Sequence, residues 1–262
     1  MRTRSQMASS LSLDPARPTK TFVLEVHTDD PSGYLADMVG SSRLEPTDDA
    51  YLYRAHVDGQ VFWVDQLDGR FWSFHTDMPA QQANAFLKEQ IQRRRNLDWM
   101  WLPSGHLRHA WPDAVPRRVR TQFDGERFLS EDSPARDLRV QLSGRDADQL
   151  LDLIERDARY SSAVSFESMQ AILIDPDYGK LTEGVTRQGR FAAYGDSFEL
   201  HLAFIRAVVQ RYRSFVELCE RKAISWDSLR DGGGTVAGGP LAIQFSRRIE
   251  DLDRFVDSLL AV

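Results

Sequence analysis

The stretch from Tyr51 to His75 restricts the fold more than any other part of this chain. Tyr51, Tyr53, Ala55 and Val57 alternate with Leu52, Arg54 and His56, which is the period of a strand. Asp58-Gly59 then signals a hairpin turn, Val61–Asp65 reads as the return strand, Asp68-Gly69 signals a second turn, and Arg70–His75 reads as a third strand. Side chains alternate between the faces of a strand, so Trp63 and Asp65 share one face and Phe62 and Val64 the other. On the third strand Trp72 and Phe74 oppose Phe71, Ser73 and His75. An antiparallel sheet with one wet face needs only one apolar face. Here both faces carry large apolar groups, so both must be covered. A helix over Asp77–Arg95, with Ala83, Leu87 and Ile91 as its stripe, is expected on one side. The other lobe or a partner is expected on the opposite side, with the Trp99–Trp111 segment folding back over it and at least four of the six tryptophans buried.

The second half has its own signature. Apolar residues fall at Phe198, Leu202, Ile205, Val209, Tyr212, Val216 and Cys219, spaced alternately four and three apart, and predict a long amphipathic helix. Asp196 with Glu199 has the spacing of a capping box. Strands are expected at Thr21–His27, Arg118–Phe123, Leu138–Leu142, Val164–Ile174, Val185–Tyr194 and Leu241–Phe245. Helices are expected near Pro31–Gly40, from Asp146, and over Glu250–Leu260, and Asp231–Gly239 reads as a flexible loop.

This order predicts an α+β protein of two lobes, each a split βαβ or ferredoxin-like unit, with antiparallel-rich sheets and helices packed on one face. The lobes are placed at residues 21–130 and 137–262, after a flexible tail over residues 1–20. Gly69-Arg70-Phe71 and Gly189-Arg190-Phe191 recur 120 residues apart, which raises an internal duplication beside chance likeness between the halves.

Composition narrows the class. No run of 18 or more apolar residues exists, so no membrane span or membrane partner is expected, and no apolar segment follows the early arginines as a secretory signal would require. One cysteine, Cys219, excludes an intramolecular disulfide and a multi-cysteine zinc site, and suits a cytoplasmic location. A net charge of −6 argues against a generic polyanion binder. The charge is uneven, however: residues 91–128 hold eight arginines against four acids, a local +4.

That window supplies the candidate contacts. Arg93, Arg94, Arg95, Arg108, Arg117 and Arg118 suit phosphates, and the interleaved Trp99, Trp101, His106 and His109 suit bases or an apolar ligand. The plainer reading is a helix end favoured by its dipole beside a packed aromatic core. His106 and His109 have a metal-ligand spacing, but Pro103 and Gly105 argue against a helix there. Asp65 with Asp68, and Asp175 with Asp177, could hold a cation or work as acid and base, yet Asp is also an ordinary turn residue. The glycines of Asp231–Gly239 are not followed by the Gly-Lys-Ser/Thr that opens the helix of a phosphate loop, and a strand is expected next, while Cys219 sits on an apolar stripe. No catalytic residue, metal or cofactor is assigned. The leading expectation is therefore an interaction or regulatory module without catalytic activity, pairing with an unknown protein or with itself. A nucleic-acid accessory protein using residues 91–128 is second. An enzyme whose His and Asp groups meet only in the fold is third, and a deep pocket holding His75, Asp65 or His106 would favour it.

Overall fold

A computed structural model describes residues 3–108, 110, 114–122, 131–132, 136, 138–144, 146–157, 160, 165–223, 225–228, 234–239 and 252–253. Its centre is β2 (Arg17–Val26), flanked by β6 (Phe71–Thr76) on one side and β12 (Arg190–Gly195) on the other. From β6 the sheet continues through β5 (Gln60–Asp65), β4 (Leu52–Val57) and β3 (Leu44–Pro46). From β12 it continues through β11 (Gly179–Thr186), β10 (Phe166–Asp175), β8 (Val115–Gln122) and β9 (Arg139–Ser143). Two short strands, β1 (Leu13–Asp14) and β7 (Leu97–Trp99), also pair with β2, making twelve strands in one antiparallel sheet that both halves share. A separate hairpin pairs β13 (Ser225–Ser228) with β14 (Gly234–Ala237), so part of the glycine segment read as a loop is strand.

The predicted meander forms with both turns in place. Its two apolar faces feed two different cores. Phe62, Val64, Trp72 and Phe74 pack with Leu35 and Met38 of α2 (Pro31–Val39) and with Ala83 and Leu87 of α3 (Ala80–Arg93). Phe71, on the other face, packs with Phe191 and with Phe204, Ile205 and Tyr212 of α6 (Phe198–Lys222). Helices therefore lie on both faces of the sheet. The expectation of helices on one face fails because the central strands are apolar on both sides. Full burial of a Phe or Leu side chain stabilises by about 1.5–3 kcal/mol, which makes covering the second face worth a helix.

Residues read as a tail contain helix α1 (Arg4–Ser10), with Met7 fully buried against Leu52, Trp63 and Phe198. The segment after β7 divides between the cores: Trp99 packs on the α3 side, while Met100, Leu102 and Leu107 join the α6 side. Leu107 belongs to the short helix α4 (Ser104–Arg108), which starts directly after Pro103. The presence of Pro103 therefore does not prevent a helix, since a proline is tolerated at a helix start. Trp111 lies outside the described residues, as do the predicted strand Leu241–Phe245 and all but two residues of the last predicted helix.

Two further expectations shift. Val185–Tyr194 is not one strand but the corner of a hairpin between β11 and β12. The chain reverses at Gly189 (φ 63°), where a Cβ would meet the Cβ of Met100 at 2.9 Å. In α6 the cap is Ser197, one residue later than expected; its Oγ accepts from Leu200 N at 3.1 Å. The buried stripe is also rotated. It runs through His201, Ile205, Val208, Val209 and Tyr212, while Leu202 and Val216 are only partly covered. Arg213 and Asp68 form an ion pair, and Arg70 bridges Glu25 of β2 and Glu220 of α6, which clamps the long helix to the first half.

Candidate functional site

The rotated stripe brings His201 under the sheet. It meets Thr21 of β2, His75 of β6 and Glu183 of β11, and none of the four is more than 1% exposed. His201 Nδ1 lies 2.6 Å from Glu183 Oε2, and His201 Nε2 lies 2.7 Å from Thr21 Oγ1. The same Thr21 oxygen lies 2.8 Å from His75 Nδ1. The result is a continuous chain, Glu183–His201–Thr21–His75, running across three strands and a helix. His75 Nε2, on the ring edge away from Thr21, has no hydrogen-bond partner among the described residues, nor has Glu183 Oε1.

A hydroxyl has one proton, so Thr21 donates to one imidazole and accepts from the other. That leaves two consistent arrangements. In the first, His75 Nδ1–H donates to Thr21, Thr21 donates to His201 Nε2, and His201 Nδ1–H donates to an ionised Glu183. His75 Nε2 is then a bare lone pair. In the second, every bond is reversed: a protonated Glu183 donates inward and His75 Nε2 carries a hydrogen. A proton taken at His75 Nε2 thus emerges, after three short transfers, as a neutral Glu183. The local energetics suit this. Burial raises the Glu183 carboxyl above its ordinary range, with the attraction of His201 opposing in part. Burial, helped by the positive ends of His201, Arg206 and Arg4, pushes the His75 imidazole down to about 3. A charge is therefore disfavoured on His75 itself.

His75 lines a cavity of about 560 Å³ between α6 and the β5–β6 corner. Phe71, Leu202, Ile205 and Val209 form its apolar wall, and Asp65, Asp68, Ser73, Arg206 and Gln210 its polar groups. The two aspartates are already engaged. Asp65 accepts from Arg4 at 2.9 and 3.2 Å and from Leu67 N at 2.9 Å. Burial pushes the Asp68 carboxyl up, but Arg213 and the amides of Phe71 and Arg70 outweigh this and hold it below the usual range. Arg206 is exposed and makes no ion pair among the described residues, so it is the cation this cavity offers.

The residues named from the sequence are not brought together at this site. Arg93 is exposed and pairs with Glu89 at 2.5 Å. Arg94 closes α3 by bonding Gln90 at 2.6 Å and Asp37 at 2.9 Å, and Arg95 is exposed. Trp99 is buried beneath Arg190, whose guanidinium lies 4.7 Å from its ring centre, and Trp101 is 43% exposed. His106 sits on α4 edge-on to Phe215, its imidazole held down by burial and then by Arg211. Arg108 ends α4 and His109 lies outside the described residues. Arg118 pairs with Gln170 and Pro116 with Ala171, so Arg117 between them is the extra residue of a β-bulge and the two arginines do not form a regular pair on the strand. Asp175 accepts from the amides of Asp177 and Tyr178, the ordinary work of a turn residue. Among the described residues no three His, Cys, Asp or Glu side chains gather as a metal site requires, and no helix is long and apolar enough to cross a membrane.

Sequence reasoning missed Thr21, Glu183, His201 and Arg206. A signal existed for two of them. Glu183 sits between Leu181 and Val185 at the inward positions of β11, and His201 lies four residues before Ile205 on the buried stripe. A carboxylate and an imidazole at core positions are seldom idle.

Comparison with known proteins places the chain without assigning it an activity. No solved structure matches it. An uncharacterised protein, MJECL33 of Methanocaldococcus jannaschii, is 20% identical over 284 residues, covering 93% of this chain and 68% of the relative. The family model described as MJECL33-like protein matches residues 4–262, and the chain belongs to that family.

Proposed function

We propose that the chain acts on a small anionic molecule held in the cavity between α6 and the β5–β6 corner, with His75 as its proton-transfer group. One observation carries this reading: a buried imidazole nitrogen without a partner among the described residues heads an otherwise continuous hydrogen-bonded chain on the wall of that cavity. A polar network kept for stability alone would satisfy its members, because each buried unpaired group costs about 1–3 kcal/mol. Apolar residues would serve the core better. Arg206 supplies the attraction for an acid group, and the apolar wall excludes water around it. That His75 and Asp65 line one cavity supports the reading of an enzyme assembled in the fold over that of an interaction module.

The test is a thermal-shift screen of small carboxylic and phosphoric acids against the intact chain. At least one acid should raise the melting temperature, and Arg206→Ala should abolish that rise while leaving the unliganded melt unchanged. Calorimetry of the same acid in two buffers of different ionisation enthalpy should show a proton exchanged in the wild type and none in His75→Gln. Stabilisation that survives Arg206→Ala, or no stabilisation by any acid, overturns the reading.

A further inference from the structure

The opposite face of the sheet, over the second half of the chain, has no described helix packed across it, and its paired positions carry basic and neutral groups. From the registers, Lys20, Ala192, Gly184, Gln170, Arg118 and Ser143 form one row across β2, β12, β11, β10, β8 and β9. In the next row Arg190 stands beside Phe22, and Ser168 beside Arg120 and Gln141. Strands lie about 4.8 Å apart, so Lys20 and Arg118 are roughly 19 Å from one another. Among the described residues, the paired positions of β8, β9, β10, β11 and β12 on this face carry no carboxylate; Glu167, at the bulge where β10 begins, is the acid that acts on Arg190. The nearest acids are occupied at its margins: Asp77 pairs with Arg17, and Glu167 with Arg187.

Between the cations lies a trough of about 500 Å³ with α3 as one wall. Its floor is low because Gly184 and Ala192 stand at the centre of the row, and a glycine inside a strand marks a place where something approaches the backbone. Three buried polar atoms on this trough have no hydrogen-bond partner among the described residues: Arg190 Nε, Thr186 Oγ1 and Asn84 Oδ1. Burial lowers the basicity of both Lys20 and Arg190 by more than the attraction of Asp77 and of Glu167, respectively, restores, so each is a cation held partly out of water.

We infer that this face binds single-stranded nucleic acid. The spacing decides for a polymer. Lys20 and Arg118 stand too far apart to share one phosphate, and Arg120 adds a further cation two residues along the same strand as Arg118, in the next row. A strand lying across the sheet would set successive phosphates over these cations, with Gln170, Ser168 and Asn84 beneath as hydrogen-bonding groups. With Trp99 buried and capped by Arg190, base stacking contributes little, and binding is mainly electrostatic. The site is independent of the His75 cavity, which lies on the other face.

The experiment is fluorescence anisotropy of a labelled oligo(dT) of about twelve nucleotides, titrated with the full chain from about 20 to 200 mM salt. Four cations in contact predict a slope of log affinity against log salt near −3, at about −0.7 per phosphate neutralised on a single strand. Arg118→Glu with Arg120→Glu, both exposed, should lower affinity at least tenfold and flatten the slope by about 1.4 without moving the melting temperature. Gly184→Val should block the trough sterically. A Cβ there meets nothing closer than the Ala192 carbonyl at 3.7 Å, so the sheet accommodates it. Arg93→Ala with Arg95→Ala, at the far end of α3, should change nothing. No binding at the lowest salt, equal weakening by the Arg93/Arg95 pair, or full displacement by a nucleoside triphosphate at matched phosphate concentration would each overturn the inference, the last in favour of a small-molecule site.

Discussion

The two faces of the central sheet solve opposite problems. The α6 face buries its charge: Glu183, His201 and His75 sit at 1% exposure or less, linked through Thr21 beside an apolar wall. The far face, over β8–β12, keeps its charge out: Arg118 and Arg120 are exposed, and no acid on those strands neutralises them. A buried network gains strength from low dielectric but is costly where a partner is missing. An exposed array is screened by salt and contributes little to stability, yet attracts a polyanion over several ångströms. Mutations on the two faces should therefore separate, with stability lost on the first and affinity on the second.

The largest expected effect tests whether the first face is a single cooperative unit. Val209 is 8% exposed and packs in the cluster that joins Val23 and Phe71 of the first half to Phe191 of the second. Val209→Asp places a charge there without a partner and should cost about 4 kcal/mol. Because the sheet is continuous through β2, both halves should unfold in one transition, followed by tryptophan emission and by circular dichroism. An unchanged melt, or two separate transitions, would break the picture of a shared core.

Next in size is the hydroxyl at the middle of the chain. Thr21→Val leaves His75 Nδ1 and His201 Nε2 unpaired together, at a cost of about 3 kcal/mol. Thr21→Ser keeps the hydroxyl and should recover most of it. If valine is as stable as serine, the two histidines do not depend on Thr21 and there is no relay.

The pH dependence of stability is a slightly smaller effect and has a definite sign. The His75 imidazole is depressed to about 3 when folded, so between that value and about 6.5 the unfolded chain binds more protons. Stability contributed by His75 is present above about 6.5 and is lost as pH falls. Glu183 works the other way: its raised carboxyl favours the folded form at low pH, and that contribution is lost as pH rises through its folded value. Replacing His75 by Phe removes the first term alone. Between pH 7 and pH 5 the wild type should lose about 2 kcal/mol relative to His75→Phe. Parallel stability curves would mean that His75 is not held neutral.

How much of this was legible follows from where each signal sits. The meander was readable because Asp58-Gly59 and Asp68-Gly69 punctuate strong alternation, and the two-sided apolar pattern correctly required two covering layers. The β11–β12 hairpin was not, because only Gly189 marks its turn and Arg187-Gln188 carry no turn preference. With β11 hidden, the alternation of Leu181, Glu183 and Val185 that marks Glu183 as inward-facing went unread. The stripe of α6 was read correctly at Phe198, Ile205, Val209 and Tyr212, but Leu202 and Val216 are as apolar as these and drew it away from the side on which burial extends, through Leu200, His201, Phe204 and Val208. That rotation concealed His201. The basic window misled for another reason: a linear count cannot show that a bulge separates Arg117 from the paired Arg118, nor that Lys20 and Arg190, far away in sequence, stand over the same trough as Arg118.

The smallest effect sharpens the contrast within the basic face itself. Arg190 and Arg118 both line the trough, but Arg190 also covers Trp99 at 4.7 Å, whereas Arg118 is exposed and bonds to no described residue. A cation over an indole is worth about 0.5–1 kcal/mol near the surface. Burial of the guanidinium cancels part of that, since desolvation already lowers its basicity. Arg190→Gln should therefore cost at most about 1 kcal/mol, while exposing the ring edge of Trp99 enough to shift its emission to the red. Arg118→Gln should stay within about 0.5 kcal/mol and leave emission unchanged. Equal stability losses from the two substitutions would show that the face is held as rigidly as the core. Equal emission shifts would show that Trp99 does not depend on Arg190 for its cover.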